Sequence, residues 1–414
     1  MINFVLLVVV LFALWRSGGY LSYSLIFLAL LIAFHYVPLI YIYVNYDELP
    51  FMLSLGEVGD GISKVVAVCV FMYMGVLLAS RLFDAGPQAR ALAATPGVRG
   101  WLRLNVAVGL LIVINNILAA YQSLSGGYLD MYSAQSLSPV KTITVLPIYA
   151  FTVFYLYLAW TRSRQDFPRG AARTLWWILA AVVVTFVFTG SRSTVIYLAV
   201  SLAAVYSVRF KRKVWKYAPH ALGVIVISTV IGVLREGGFS AVDPATLVLR
   251  PIMELGNTAL VFLTSESVSD DLTVSAGRYV AGLLYLFPVS LLTALGIEPP
   301  PLLSQQYVMI VDPSWSDLGG GFGFSLIAEI YLLGGAAGAW FVALLIGLFL
   351  GWIDVNFRSA NIAKAALAAS LGFLMLFVVR GEVMELYRNV FVVFMLYLIS
   401  AVIARRPVRA SPES

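Results

Sequence analysis

Apolar residues run along this chain in blocks of roughly 17–25, the length that carries a helix across a bilayer. The blocks predict spans near residues 2–15, 20–45, 62–83, 101–124, 140–161, 173–189, 191–208, 217–235, 322–353, 364–380 and 388–404. The first begins at Met1 without a basic region or a small-residue cleavage site, which predicts a retained helix rather than a signal peptide. Basic residues between the blocks set the sidedness, because Lys and Arg accumulate in loops on the inner side of a membrane. They mark as internal the loop with Arg81, Arg90, Arg99 and Arg103 and the loop with Arg162, Arg164, Arg169 and Arg173. The same holds for the loop with Arg209, Lys211, Arg212, Lys213 and Lys216, and for the tail with Arg405, Arg406 and Arg409. The loop around Asp47, Glu48, Glu57 and Asp60 has no basic residue before Lys64 and faces out. Eleven spans then alternate without contradiction, with the N-terminus out and the C-terminus in.

One stretch breaks the short-loop pattern. Residues 236–321 form a long external segment carrying Asp243, Glu254, Glu266, Asp270, Asp271, Glu298, Asp312 and Asp317. Within it, 278–296 is apolar enough to span, but an extra crossing would invert the basic loops that follow. The segment therefore predicts a re-entrant or interfacial helix, ended by Pro299, Pro300 and Pro301. Long structured loops usually carry function. The two halves of the chain share neither motif nor loop lengths, which weakens a transporter built on repeats.

Composition sharpens the class. The 414 residues are 61% hydrophobic and 12% charged, against about 45–50% and about 25% for a soluble domain. An apolar excess of that size does not fit inside one water-soluble core. The fold class is an all-α polytopic membrane protein, one integral-membrane domain over 1–414 with the 236–321 loop inside it. The net charge of +6 lies in the inner loops and needs no nucleic-acid partner. The single cysteine, Cys69, permits no internal disulfide.

Several chemistries are absent from the pattern. There is no GxxxxGK[ST] for a P-loop, no HExxH, no CxxC pair and no Asp-x-Asp. No cofactor and no metal are expected. The two histidines, His35 in the second span and His220 near the inner end of the eighth, read as buried packing residues.

Polar residues inside a membrane are costly, a central Arg about 2.5–3.5 kcal/mol on insertion scales, so those present are the leads. Four clusters fall at the outer ends of the spans. In Thr189-Gly190-Ser191-Arg192-Ser193, Ser191 can cap the seventh helix with Arg192 in its first turn, an anion site at a positive helix end. Arg192 reaching to lipid headgroups explains it equally. In the second, Arg235 precedes Glu236-Gly237-Gly238, and Arg250 and Glu254 stand four apart on one helical face; a plain surface ion pair is the alternative. The third runs from Gly319 to Gly335. It places Glu329 about two turns inside the apolar layer, one turn below Ser325, with Tyr331 just beyond; Gly334 and Gly338 would let a second helix approach. A lone carboxylate there must be paired, protonated or facing water. The fourth, Arg380-Gly381-Glu382-Val383-Met384-Glu385-Leu386-Tyr387-Arg388-Asn389, is either functional or a self-satisfied charge network. Asn105, Asn115 and Asn116 are candidates to line a polar groove leading to this side.

The motifs TGSRS at 189–193, GGFGFSLIAEIYLLGG at 320–335 and RGEVMELYRN at 380–389 resemble bacterial polysaccharide polymerases of the Wzy type, as do the many spans and the large outer loop. The resemblance implies an inner-membrane enzyme with a periplasmic active site. It implies joining of oligosaccharide repeat units carried on undecaprenyl diphosphate, with release of the lipid diphosphate. A flippase and a chain-length regulator are the implied partners. Some members carry an Arg followed eleven residues later by Gly; here Arg235, Arg250 and Arg278 are followed by Thr246, Val261 and Val289, so that motif does not carry over.

The residue chemistry agrees with that activity. A diphosphate leaving group supplies the driving force without ATP, and the planar guanidinium matches phosphate oxygens bidentately. Arg192, Arg235, Arg250, Arg380 and Arg388 are the candidate diphosphate contacts, with Ser191 and Tyr331 as further substrate-binding candidates. With no outer histidine, a carboxylate is the candidate base. Glu329 leads over Glu254 and Glu382, because Glu254 has Arg250 and Glu382 has Arg380 as ready ion-pair partners. Glu329 has only Ser325, Leu326, Leu332 and Leu333 one turn away, and the Ser325 hydroxyl is placed to orient it. The rival readings are an O-antigen ligase, which would carry a histidine in the long outer loop, and a lipid-linked oligosaccharide flippase or other transporter, which would carry charges through the membrane centre.

Overall fold

The computed structural model describes residues 2–45, 54–83, 97–126, 142–162, 167–189, 192–217, 256–287, 292, 294–317 and 323–404, and among these all regular secondary structure is helical. Helices α1 (Ile2–Arg16), α2 (Tyr23–Val44), α3 (Leu55–Leu82), α4 (Val98–Gly126), α5 (Thr142–Arg162), α6 (Arg169–Phe188) and α7 (Arg192–Arg209) occupy the first seven expected segments. The expected span at 217–235 lies outside the described residues beyond Tyr217. The 236–321 stretch contributes a helix at 256–265 (α8), Ala276–Ala281 (α9) and Leu303–Val311 (α10). Helices α11 (Leu326–Phe357), α12 (Ile362–Val378) and α13 (Leu386–Ala404) close the chain. Among the described residues, six helical stretches are long and apolar enough to cross a membrane: Tyr23–Val44, Leu55–Leu82, Val98–Tyr121, Arg169–Val187, Leu326–Phe357 and Val383–Ile403. The chain is a polytopic membrane protein.

The most intimate helix pair is α3 with α11, and glycine makes it possible. A Cβ at Gly75 would collide with the backbone of Leu344 and Leu348, and one at Gly347 with the backbone of Met72; Gly351 lies against Val76 and Ala79. Lipid tails are as apolar as leucine, so helices in a membrane associate through close packing, and small residues allow it. The sequence pattern points to Gly334 and Gly338 for this role, and the structure corrects it. Gly338 faces open space and Gly334 meets only the edge of van der Waals contact. The reason is a break beside them: Gly335 adopts φ 58°, ψ −160°, so α11 is two helical pieces and its first two turns stand apart from the long shaft. Glu329 is on the short piece.

Packing and polar contacts show that the helix directions alternate. At one end Asp354 of α11 accepts hydrogen bonds from Tyr23 N–H (2.7 Å), Ser24 N–H (3.3 Å) and Ser24 Oγ (2.5 Å) at the start of α2. Arg162 donates to the carbonyls of Ser359 and Ala360, Arg209 to Thr161 O, and Lys213 to Gly18 O at that same end. The opposite end gathers His35, Ser325, Glu329 and Glu382. Two loop expectations need correction. Helix α3 starts at Leu55, earlier than the hydropathy run, because Ser54 and Glu57 form a reciprocal cap: the Glu57 carboxylate accepts from Ser54 N–H and Ser54 Oγ accepts from Glu57 N–H. Glu57 and Asp60 are thus helical, while Asp47 and Glu48 lie outside the described residues. Residues 288–291 and 293 of the segment expected as one helix over 278–296 lie outside the described residues; its first part is the six-residue α9 followed by a 3₁₀ turn, Gly282–Leu286. It stops at Phe287, extended at φ −97°, ψ 151°, because Pro288 follows and disfavours the helical region for the residue before it.

Asn105 and Asn116 do not line a groove. Asn105 donates to Thr152 Oγ1 of α5 (2.7 Å) and Asn116 to Thr185 Oγ1 of α6 (3.2 Å), so both cross-link helices.

Gly347→Leu forces side-chain bulk into the α3 backbone, and overpacking of this kind costs about 1–3 kcal/mol or more. Detergent-solubilised Gly347→Leu should melt well below wild type, while Gly338→Ala should melt at or above it; equal melting of the two variants would refute the packing assignment.

Candidate active site

The N-terminal end of α11 is built on a glycine. Gly323 has φ +75°, and a Cβ there would sit 3.0 Å from the Arg380 carbonyl, so only glycine lets this stretch of chain lie against the α12–α13 turn. Phe324 N–H then reaches the Arg380 carbonyl (3.4 Å). Ser325 is the N-cap of α11, its Oγ accepting from Ala328 N–H (3.2 Å). The same hydroxyl is 2.8 Å from His35 Nε2, which lies fully buried in a π-helical turn (Ile32–Tyr36) inside α2. His35 is thus a packing residue with one polar tie. Ser325 does not orient the Glu329 carboxylate as expected, because its oxygen already serves the cap and the imidazole.

Glu329 is 1% exposed. Its Oε1 accepts from the Tyr279 hydroxyl of α9 (2.8 Å), and Val383 N–H donates to Oε2 (3.0 Å) and, more weakly, to Oε1 (3.3 Å). Among the described residues it forms no ion pair. Burial first, and then the adjacent Glu329 carboxylate, push the Tyr279 phenol well above its ordinary pKa, so at neutral pH it stays a donor.

Glu382 sits on the same turn and is bound very differently. It is 1% exposed and accepts from Arg278 NH2 (3.2 Å), Leu303 N–H (2.9 Å), Ser304 N–H (3.1 Å) and Ser304 Oγ (3.1 Å). Four donors fill its lone pairs, so it joins the start of α10, α9 and the α12–α13 turn and has little capacity left as a base. Its ion-pair partner is Arg278, not the neighbouring Arg380. The turn aims the Glu382 side chain at α9 and α10, whereas the Arg380 carbonyl side faces Gly323 and Phe324. Arg278 is itself 4% exposed, and its Nε and NH1 find no partner. Tyr285 and Tyr387 stand beside the cluster, the Tyr285 hydroxyl donating to Pro300 O (2.7 Å). Burial, then the Glu382 charge, raise the Tyr285 pKa.

The structure therefore brings Glu329 and Glu382 to the same turn, whereas Arg380 lies against Gly323. Arg388 lies in the first turn of α13 with its Nε buried and unpartnered. Tyr331 points elsewhere: its hydroxyl reaches Lys64 O (3.4 Å) and its ring lies under Lys64 Nζ, which pairs with Asp60 (2.9 Å) and Glu266 (2.7 Å). Two residues beyond Glu329, it occupies another face of the helix. Arg192 opens α7 as expected, while Ser191, Arg235, Arg250 and Glu254 lie outside the described residues, as does His220. Sequence reasoning missed Arg278, Tyr279 and Ser304. The available signal was Arg278 itself, a cation in an apolar segment that had to find an anion. Among the described residues no group of three or more His, Cys, Asp or Glu is placed to hold a metal ion.

A family model described as O-antigen polysaccharide polymerase Wzy matches residues 1–406. The chain belongs to the Wzy family. No curated protein and no solved structure matches it. The match runs through the helical bundle and the carboxylate cluster, and the family supports an O-antigen repeat-unit polymerase in general.

Removing one side of a buried pair leaves an uncompensated charge and costs about 3–5 kcal/mol, whereas replacing both sides by apolar groups is often neutral. Glu382→Ala should lower the melting temperature sharply, and Arg278→Met with Glu382→Met should recover much of the loss. A Glu382→Ala protein that melts like wild type would show that the pair does not hold the outer segment.

Proposed function

We propose that this chain polymerises oligosaccharide repeat units carried on undecaprenyl diphosphate, at the outer face of the bacterial inner membrane. The observation that carries the reading is Glu329: a buried carboxylate without an ion pair, held at the bundle end opposite the Arg162, Arg209 and Lys213 cluster. Basic clusters mark the cytoplasmic side, which supports a periplasmic position for Glu329. Membership of the polymerase family supports polymerisation over ligation or flipping.

In this reading Glu329 removes the proton from an acceptor sugar hydroxyl. The oxygen attacks the anomeric carbon of a second unit, and the bond from that carbon to the diphosphate oxygen breaks. The leaving undecaprenyl diphosphate takes the electron pair, and guanidinium groups meet its charge. Arg192, Arg380 and Arg388 supply these contacts, with Arg235 and Arg250 as further candidates; Glu254 stands behind Glu329 as the alternative base. Glu382, saturated by donors, positions the site. Tyr331 serves the Lys64 neighbourhood instead.

Deletion of the gene should leave surface polysaccharide capped by a single repeat unit, with lipid-linked units still reaching the outer leaflet. Units trapped on the inner leaflet would overturn the polymerase reading in favour of a transporter. Glu329→Gln at normal protein level should reproduce the single-unit phenotype, a loss of about 100-fold or more for a removed base. A normal ladder from that strain would overturn the assignment. Arg192→Lys keeps the charge but loses the planar fork, and should shorten the polymer; full-length polymer from Arg192→Ala would remove that residue from the site.

A further inference from the structure

Glu329 as it stands is closed to substrate. It is 1% exposed, and both carboxylate oxygens are occupied, one chiefly by the Val383 N–H and the other by the Tyr279 hydroxyl. These two donors differ in kind. Val383 N–H belongs to the main chain of the α12–α13 turn and orients the carboxylate permanently. The Tyr279 hydroxyl is an O–H donor at 2.8 Å, within the reach at which a base meets the hydroxyl it deprotonates.

We infer that the Tyr279 hydroxyl holds the place of the acceptor sugar hydroxyl on Glu329, and that the segment Ser275–Phe287 is a strap that lifts to admit the acceptor. The inference rests on Glu329 being the base.

The strap is built to leave. It is a six-residue helix followed by a 3₁₀ turn, whose hydrogen bonds are poorer than those of an α-helix. Its neighbouring anchor, Arg278, forms one ion pair to Glu382 and leaves Nε and NH1 buried without partners, so the closed position is incompletely satisfied. Its other anchor is a packing contact: a Cβ at Gly282 would lie 2.5 Å from Met384 Sδ, 3.1 Å from Met384 Cγ and 3.3 Å from the Tyr387 ring. Lifting the strap removes Tyr279 from Glu329 and leaves Val383 N–H in place, which turns a sealed carboxylate into an oriented, open one.

The Gly282–Met384 contact supplies the test, because a Cβ at Gly282 would lie 3.1 Å from Met384 Cγ, the position a cysteine sulfur would take, close to the separation of a Cβ from the far sulfur of a disulfide. Full-length Gly282→Cys/Met384→Cys protein in membrane vesicles, oxidised with copper phenanthroline, should lose about 100-fold in polymerisation of lipid-linked repeat units, the loss of a working base. Dithiothreitol should restore the activity of the reduced double variant, and oxidation should leave the activity of each single-cysteine variant unchanged. An oxidised, cross-linked protein that polymerises at the rate of its reduced form overturns the inference. A second measurement does not depend on that variant folding. A hydrophobic carbodiimide should label Glu329 severalfold faster in Tyr279→Phe than in wild type, read by peptide mass; equal labelling overturns the inference. Normal polymer from Glu329→Gln would sink the base assignment itself. A lock that fails to stop a Glu329-dependent enzyme sinks the strap alone.

Discussion

Two carboxylates out of water govern the end of the bundle where α11 begins. A buried anion needs donors, and Glu329 and Glu382 find theirs on segments far apart in sequence. Glu382 draws in Arg278 across 104 residues and the start of α10 across 79. Glu329 draws in Tyr279 across 50 and Val383 across 54. The turn between α12 and α13 thereby becomes the hub on which α9, α10 and the first turns of α11 converge. Without these bonds nothing polar would fasten α9 to the bundle among the described residues.

The same need divides the roles of the two acids. Glu382 accepts four hydrogen bonds, one from a guanidinium, and acts as a strut. Glu329 accepts from a phenol and a main-chain N–H, keeping a carboxylate that no bonded cation neutralises. That difference arises from geometry: Arg278 and Tyr279 are adjacent on one short helix, and successive helical residues diverge by about 100° around the axis. One reaches the turn, the other reaches α11. The Gly335 break matters here too, because it lets the short piece carrying Glu329 follow the turn while the shaft of α11 stays packed against α3.

Much of this architecture is legible in the order of the residues. Runs of apolar length mark the helices, and Lys and Arg mark the end where Asp354 and Arg162 sit. Glu329 stands out because a carboxylate in an apolar stretch is costly. What periodicity does not show is partnership. Arg380 is nearest Glu382 in sequence, yet Arg278 is its partner, since the fold of the turn decides which way a side chain points. The close-packing glycines escape the pattern for a similar reason. Gly334 and Gly338 have the right spacing, but the positive φ at Gly335, invisible in spacing, turns them away from α3. The 278–296 segment reads as continuous because its hydropathy outweighs the local effect of Pro288.

The most direct test of the account separates binding from chemistry at Glu329. Purified protein in liposomes, given saturating lipid-linked repeat units, would be measured for donor affinity and for turnover in wild type and Glu329→Gln. The account predicts unchanged donor affinity with turnover reduced about 100-fold or more. Turnover near wild type in the Gln variant, or a loss of donor binding in place of turnover, would contradict it.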